Sequence, residues 1–416
     1  MLEHEQKNVW KMIGMRIRRE RIKRNWSQSG LCYGICAVSY LSKIEQGKME
    51  VSEEILKLLL ERLELPWIDD KETKDLESFV EAQYEFLFTH PIQEFLKQKE
   101  IFQEKKEKLY SSSLIADACI LEAVYESRKD EIEEGLERYL DFRQLAVLRM
   151  LQGRLDEAIT LLPIPFMYMR AGEILYETGQ NYASAISYLQ MGYNLAAQEG
   201  MAMLMLQCRI IIGNCYSNQQ ELENMEREYQ IASRLARDLH QTEILKVINY
   251  NRASTWVALG SYKKAYDYFS KVEEPAILDL HKLAICCEAY GRKAEGIEAV
   301  KRAERMGEFG DDPDDEKQLE VEMCRLVRYR LEHENYLKEE EYEKLLFPCF
   351  EKMKARLPVG FAVFHVPYVL EWYTDRRQYK QAYEMVRKYG GFIPVLEFSN
   401  QRVLGRKIGE IICFPQ

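Results

Sequence analysis

The chain has 416 residues, 47% of them hydrophobic and 30% charged, a composition of folded proteins and a length that calls for two or more domains. With 21 glycines and 11 prolines it is poor in the two residues that weaken helix interiors, which favours an all-α chain and argues against an all-β or collagen-like one. Its net charge of −10 conceals a basic end: Lys7 to Lys48 holds ten Lys and Arg against Glu20 and Glu45, a split expected of a nucleic-acid-binding end joined to a body that avoids phosphates.

Met1 to Lys7 is polar and lacks the apolar run of a secretory signal. No stretch of ~20 apolar residues could span a bilayer. The ten cysteines have no ligand-like spacing, so buried free thiols in a reducing cytoplasm, with no metal and no cofactor, are expected. No phosphate-binding glycine loop, nucleophile elbow or H-E-x-x-H pair is present, so no enzyme activity is expected.

In chain order, a first helix is predicted over about 10–24, with Ile13 and Ile17 facing a core. A break follows at Asn25. Ser27 is an N-cap and Gln28 opens a second helix, in which Leu31 and Ile35 repeat the apolar spacing. Gly34 to Cys36 is the turn. A third helix runs over about 37–46, stopped by Gly47. Ala37, Leu41 and Ile44 share its inner face; Ser39, Ser42, Lys43 and Gln46 share the outer one, with Val38 at its edge. Ser39 and Ser42 can donate or accept, Lys43 can reach a guanine edge or a phosphate, and an outward Val38 suits a thymine methyl; the alternative is that Val38 tops up the core.

The order WSQ…GICAVSYLSKIEQGK resembles the XRE-type helix-turn-helix of phage repressors, and more closely that of the peptide-sensing Rgg/PlcR/NprR group of Gram-positive bacteria. That resemblance implies that Arg21 pairs structurally with Glu45 and that Gln28 contacts phosphate, as Lys48 and the outer basic residues would. The motif also implies a homodimer on palindromic double-stranded DNA. Gly30 departs from the usual helix former.

A further helix over 51–65 is predicted, capped by Ser52 with Glu53 and Glu54 in its first turn, and ended by Pro66. Linker helices over 69–88 and 91–110 follow. Leu76, Phe79, Val80, Tyr84 and Leu87 line the first; Phe95, Leu96, Ile101 and Phe102 anchor the second.

From about 112 onward, helical patterns alternate with tight turns. YNRASTWVALGSYKKAYDYF, Tyr250 to Phe269, follows the tetratricopeptide pattern through Gly260, Tyr262, Ala265 and Phe269. Degenerate units carry Gly153 and Ala158, Gly179 and Ala185, Gln220 in place of the turn glycine, Gly291, and Tyr379 with Ala382. Asp311–Asp315 is an acidic break, and the stretch after Gly390 fits no repeat. Stacked hairpins of this kind form a superhelix with a concave wall. The repeat family's ligand-clamping asparagine matches Asn251, and in other units Arg170, Ile211, Lys282 and Tyr368; Asn214 matches a second inward asparagine. An amide that donates and accepts suits a peptide backbone, and Arg170 and Lys282 suit its carboxylates. Gln207, Tyr250 and Ser254 complete the expected peptide-binding set.

The expectation is an all-α chain: a helix-turn-helix domain over 1–67, linker helices over 68–110, a right-handed tetratricopeptide-like superhelix over 111–390, and an unassigned segment over 391–416. By the resemblance it is a cytoplasmic transcription regulator controlled by a short signalling peptide. A scaffold for a protein partner and a phage lysis–lysogeny peptide receptor are the alternatives.

Overall fold

The computed structural model describes residues 2–65, 70–127, 137, 140–178, 181–308 and 315–389. Those residues form helices and turns without a strand. Gly179, the acidic break over 311–314 and the segment after Tyr389 lie outside the described residues. The helices are α1 (Leu2–Lys23), α2 (Gln28–Cys32), α3 (Val38–Glu45), α4 (Glu53–Arg62), α5 (Asp70–Thr89), α6 (Ile92–Leu96), α7 (Lys99–Tyr110), α8 (Ile115–Tyr125), α9 (Phe142–Leu151), α10 (Leu155–Leu161), α11 (Pro165–Thr178) and α12 (Tyr182–Glu199). Then come α13 (Ala202–Asn218), α14 (Leu222–Asp238), α15 (Thr242–Ala258), α16 (Tyr262–Phe269), α17 (Ile277–Ala289), α18 (Lys293–Glu308), α19 (Asp315–Glu332), a 3-10 turn (Tyr336–Lys338), α20 (Glu340–Arg356), α21 (Val359–Asp375) and α22 (Tyr379–Tyr389). The chain divides into two compact units: Met1–Ile174 with Ser187–Cys208, and Leu175–Ile186 with Arg209–Gln416.

In the first unit, Ile13, Ile17, Leu31, Cys32, Leu41 and Ile44 form a buried core with Leu56, Leu59, Leu60 and Leu63. Ser27 caps α2, its side chain accepting from the Gly30 N–H at 3.0 Å. The Lys48 and Gly47 amides close α3 by donating to the Lys43 and Ile44 carbonyls at 2.9 and 2.8 Å, the Schellman pattern. Ala37 is exposed, not inward as its spacing suggests. It is the extended N-cap of α3, one residue outside the helical phase. Gly14 is where α1 crosses α3: a β-carbon there would fall 1.9 Å from the Ile44 carbonyl oxygen. Arg62 of α4 donates to the Leu31 carbonyl at 2.9 Å and to that of Tyr33, satisfying the end of α2.

The expected second linker helix is two, α6 and α7, separated at Lys97–Gln98. The break shifts the helical phase. Phe95 and Phe102 are fully buried, whereas Leu96 is half-buried and Ile101 is 50% exposed, against the expected anchoring role. Arg16 ties α1 to α7: it lies 3.3 Å from Glu107 and its guanidinium sits 4.4 Å above the Tyr110 ring.

In the second unit the unit with the clearest repeat pattern forms α15 and α16. Ala265 and Phe269 are buried where the helices cross. The turn has Gly260 at φ 73° and the Ser261 amide donating to the Trp256 carbonyl at 2.8 Å. The same turn recurs with Gln220 at φ 63°, His240 at φ 56° and Arg377 at φ 57°, each followed by an amide bonded five residues back. A left-handed side-chain-bearing residue costs roughly 1–2 kcal/mol, little enough for packing to offset. The repeat is therefore more regular in backbone than in sequence.

Candidate nucleic-acid interface and candidate ligand cavity

The outward face of α3 consists of Val38, 45% exposed, exposed Ser39 and Lys43, and half-buried Ser42, whose hydroxyl accepts from the Gln46 amide at 3.1 Å. Lys48 is exposed just beyond. Val38 therefore does not top up the core. Glu45 of α3, 4% exposed, is gripped from two other helices: Arg21 Nε and Nη2 of α1 donate to its two oxygens at 2.5 and 2.9 Å, and Gln28 Nε2 of α2 donates to Oε2 at 2.8 Å. The bond to Glu45 raises the Arg21 pKa above its ordinary value. This cluster fixes the pitch of α3 against α1 and α2, and it engages the Gln28 amide inside the head. Arg24 is also internal, bonded to Glu20 at 2.5 Å and to the Leu63 carbonyl at 2.8 Å. The basic cluster thus divides into a buttressing half and an outward half.

In the second unit a cavity of about 250 Å³ is lined by Tyr176 at the end of α11 and by residues of α13, α14, α15, α17 and α21. Helical spacing puts Asn214, Ser217 and Asn218 on one face of α13, and Asn251, Ser254, Thr255 and Ala258 on one face of α15. The Asn251 amide donates to Asn214 Oδ1 at 3.1 Å, and the Tyr229 hydroxyl donates to the same oxygen at 2.7 Å. Ser217 and Thr255 hydroxyls meet at 2.6 Å, and Thr255 also bonds the Asn251 carbonyl at 2.8 Å. The Ser254 hydroxyl is buried beside the Tyr250 hydroxyl. Lys282 of α17 is 5% exposed, with Nζ 3.0 Å from the Phe364 ring centroid.

Of the residues expected to bind peptide, the cavity brings together Asn214, Tyr250, Asn251, Ser254 and Lys282. Arg170, ion-paired with Glu173, and half-buried Gln207 belong to the first unit and do not line it. Ile211 is buried core, and Tyr368 lies under the Arg330 guanidinium at 4.1 Å. Sequence reading did not identify the wall supplied by α21 and its N-cap: Pro358, Gly360, Phe361, Val363, Phe364 and Pro367. The signal available was VGFAVFHVP, an apolar run with no carboxylate or lysine. Among the described residues no group of three His, Cys, Asp or Glu could hold a metal, and no helix is long and apolar enough to cross a membrane.

Gly213 sets the position of Tyr229. A β-carbon on Gly213 would fall 2.5 and 2.6 Å from two Tyr229 ring carbons. Gly213→Ala should push that ring from Asn214, costing about 1–3 kcal/mol in denaturant unfolding. Gly213→Ala with Tyr229→Leu should recover most of that loss; a single variant as stable as the parent would show that the ring has room.

Residues 17–68 match the family described as helix-turn-helix. The transcriptional activator NprA of Geobacillus stearothermophilus is 26% identical over 355 residues, spanning 84% of this chain and 74% of that one. Among solved structures, a Rap protein complexed with competence and sporulation factor superposes with a TM-score of 0.51 at 16% identity, covering 81% of this chain and 99% of its own. PlcR of Bacillus thuringiensis, in complex with the peptide PapR7 and DNA, gives 0.29 at 17% identity, over 57% of this chain and 99% of its own. The Rap likeness establishes the fold; the PlcR superposition is too loose to argue from.

Proposed function

We propose that this chain, a helix-turn-helix protein homologous to the transcriptional activator NprA and Rap-like in fold, is a cytoplasmic, DNA-binding transcription regulator controlled by a short signalling peptide. The observation that carries the reading is the pairing of two surfaces. One is an outward recognition-helix face of Val38, Ser39, Ser42 and Lys43 with Lys48 beyond it; the other is a cavity walled by the Asn214–Asn251 amide pair. A helix held like α3 can enter a major groove and place its N-terminal side chains on base edges. Arg21, Glu45 and Gln28 keep it at that pitch.

The amide pair suits an extended peptide: Asn214 Oδ1 is already taken by Asn251 and Tyr229, which holds Asn251 in place, and the Asn251 side chain can accept from a main-chain N–H through Oδ1 and donate its second amide hydrogen to a main-chain carbonyl. A homodimer would place two heads on a palindrome, and peptide would change DNA binding to the extent that it prefers one arrangement of the chain. A regulatory role of this kind asks for no catalytic group.

The test is fluorescence anisotropy of the full chain on a duplex selected from a random library. Lys43→Ala should weaken binding by ~1–3 kcal/mol. Asn251→Ala should leave binding by the peptide-free protein unchanged and blunt the effect of added peptide. Failure to enrich any duplex, or Lys43→Ala binding like the parent, would remove the DNA-reading assignment. An undiminished peptide effect in Asn251→Ala would remove the amide pair from the reading.

A further inference from the structure

Lys282 is the point where the cavity departs from a plain peptide groove. Its side chain is 95% inaccessible, since the residue is 5% exposed, yet it lines the cavity. The other described lining residues are amides, hydroxyls, phenols and apolar groups; none is a carboxylate or another cation. Among the described residues no Asp or Glu is within ion-pairing distance of Nζ. Buried ammonium groups are costly unless paired. Here the Phe364 ring face, 3.0 Å away, is a weak substitute for an anion.

Phe364 belongs to α21, whose Gly360, Phe361, Val363 and Pro367 form the same wall. A ligand anion approaching Nζ from the cavity would therefore replace a ring carried by that wall. Resting on the peptide reading above, we infer that the ligand is acidic: a peptide that delivers a carboxylate to Lys282 and takes the place of the Phe364 ring there.

The electrostatics around Nζ agree with this geometry. Burial lowers the Lys282 pKa from 10.5 to about 7, with the thiols of Cys286 on α17 and Cys324 on α19 the smaller opposing influences. The nearby groups on α17 itself and on the elements packed against it do not supply a counter-charge. Arg330 of α19 is cationic and already bound to Glu288. His281 of α17 and His365 of α21 are held neutral by burial, both with lowered pKa values, His365 to about 3. The folded pKa of Lys282 is below its unfolded value, so the unfolded chain binds more protons between about 7 and 10.5. The lysine therefore destabilises the free protein below about pH 7, and that penalty is relieved as pH rises through this window. A bound carboxylate favours the charged form, so binding above pH 7 should take up a proton.

The experiment uses the full chain and three pools of short synthetic peptides. One has free C-termini and no Asp or Glu, one is amidated with a single Asp or Glu, and one is amidated without acid. At least one acidic pool should bind the parent roughly 10- to 100-fold more tightly than the neutral pool, and which one identifies the carboxylate as terminal or side-chain. Lys282→Met should erase that preference while raising the melting temperature of the free protein, because an unpaired buried charge has gone. Lys282→Arg should retain the preference in part. Calorimetry of the parent above pH 7 in two buffers of different ionisation heat should register proton uptake, a readout that needs no variant. Equal binding of acidic and neutral pools, unchanged by Lys282→Met, would overturn the acidic-ligand inference and leave the peptide reading standing. Binding of no pool would overturn both.

Discussion

Gly14→Ala should abolish operator binding and cost the head about 3 kcal/mol, the upper end of what overpacking usually costs. The expectation runs against helix propensity, by which replacing a mid-helix glycine with alanine gains roughly 0.5–1 kcal/mol. The steric conflict is larger. The added β-carbon would fall 1.9 Å from the Ile44 carbonyl oxygen, 2.9 Å from its carbon and 3.4 Å from the Glu45 α-carbon. These are backbone atoms of the recognition helix, so no side chain can rotate away. Either α1 and α3 separate, opening the core around Ile17, Leu41 and Ile44, or the Arg21–Glu45–Gln28 cluster comes apart. Anisotropy on the selected duplex, with thermal unfolding alongside, reads both effects. A Gly14→Ala protein that melts higher and binds like the parent would show the crossing to be looser than described.

Glu288→Ala should destabilise the second unit by about 3–5 kcal/mol, the usual cost of stranding one member of a buried ion pair. Arg330 is 7% exposed. Its Nε and Nη2 donate to the two Glu288 oxygens at 2.7 and 2.8 Å, with the Tyr368 ring 4.1 Å from the guanidinium carbon. Charge attraction and hydrogen bonds from Glu288 keep that guanidinium firmly protonated despite burial. It cannot neutralise, and without Glu288 it has no carboxylate partner among its described contacts. Replacing both partners with apolar residues, Arg330→Met with Glu288→Leu, should cost far less, because nothing charged is left inside. Denaturant unfolding followed by limited proteolysis would locate the loss. A change within ~0.5 kcal/mol, the range of ordinary surface substitutions, would mean that water reaches Arg330.

Lys282 and Arg330 show how far residue type alone can be read. Both are buried cations in the same unit. One has a carboxylate facing it and contributes to the fold; the other faces a cavity and an aromatic ring. The sequence supplies two basic residues in helical stretches and no means of telling which will be paired. Arg170 and Lys282 match the same repeat position, yet Arg170 is paired to Glu173 outside the cavity while Lys282 lines it. Repeat phase predicts which helix face a residue occupies, and only the surrounding helices decide what that face meets.

Local pattern is enough to specify the all-α fold, the capped helices of the head, the outward placement of Ser39 and Lys43, and the hairpin pattern around Gly260. These features depend on neighbours within about one or two helical turns: caps, left-handed stops and apolar spacing. The contact at Gly14, the ring set by Gly213, the engagement of Gln28 by Glu45, and the wall that α21 adds to a cavity begun on α13 arise only from long-range packing. Each joins helices through backbone approach or side-chain geometry, for which no local pattern carries a signal. Helical periodicity states that a face is apolar or polar; which distant face closes over it follows only when the whole unit packs.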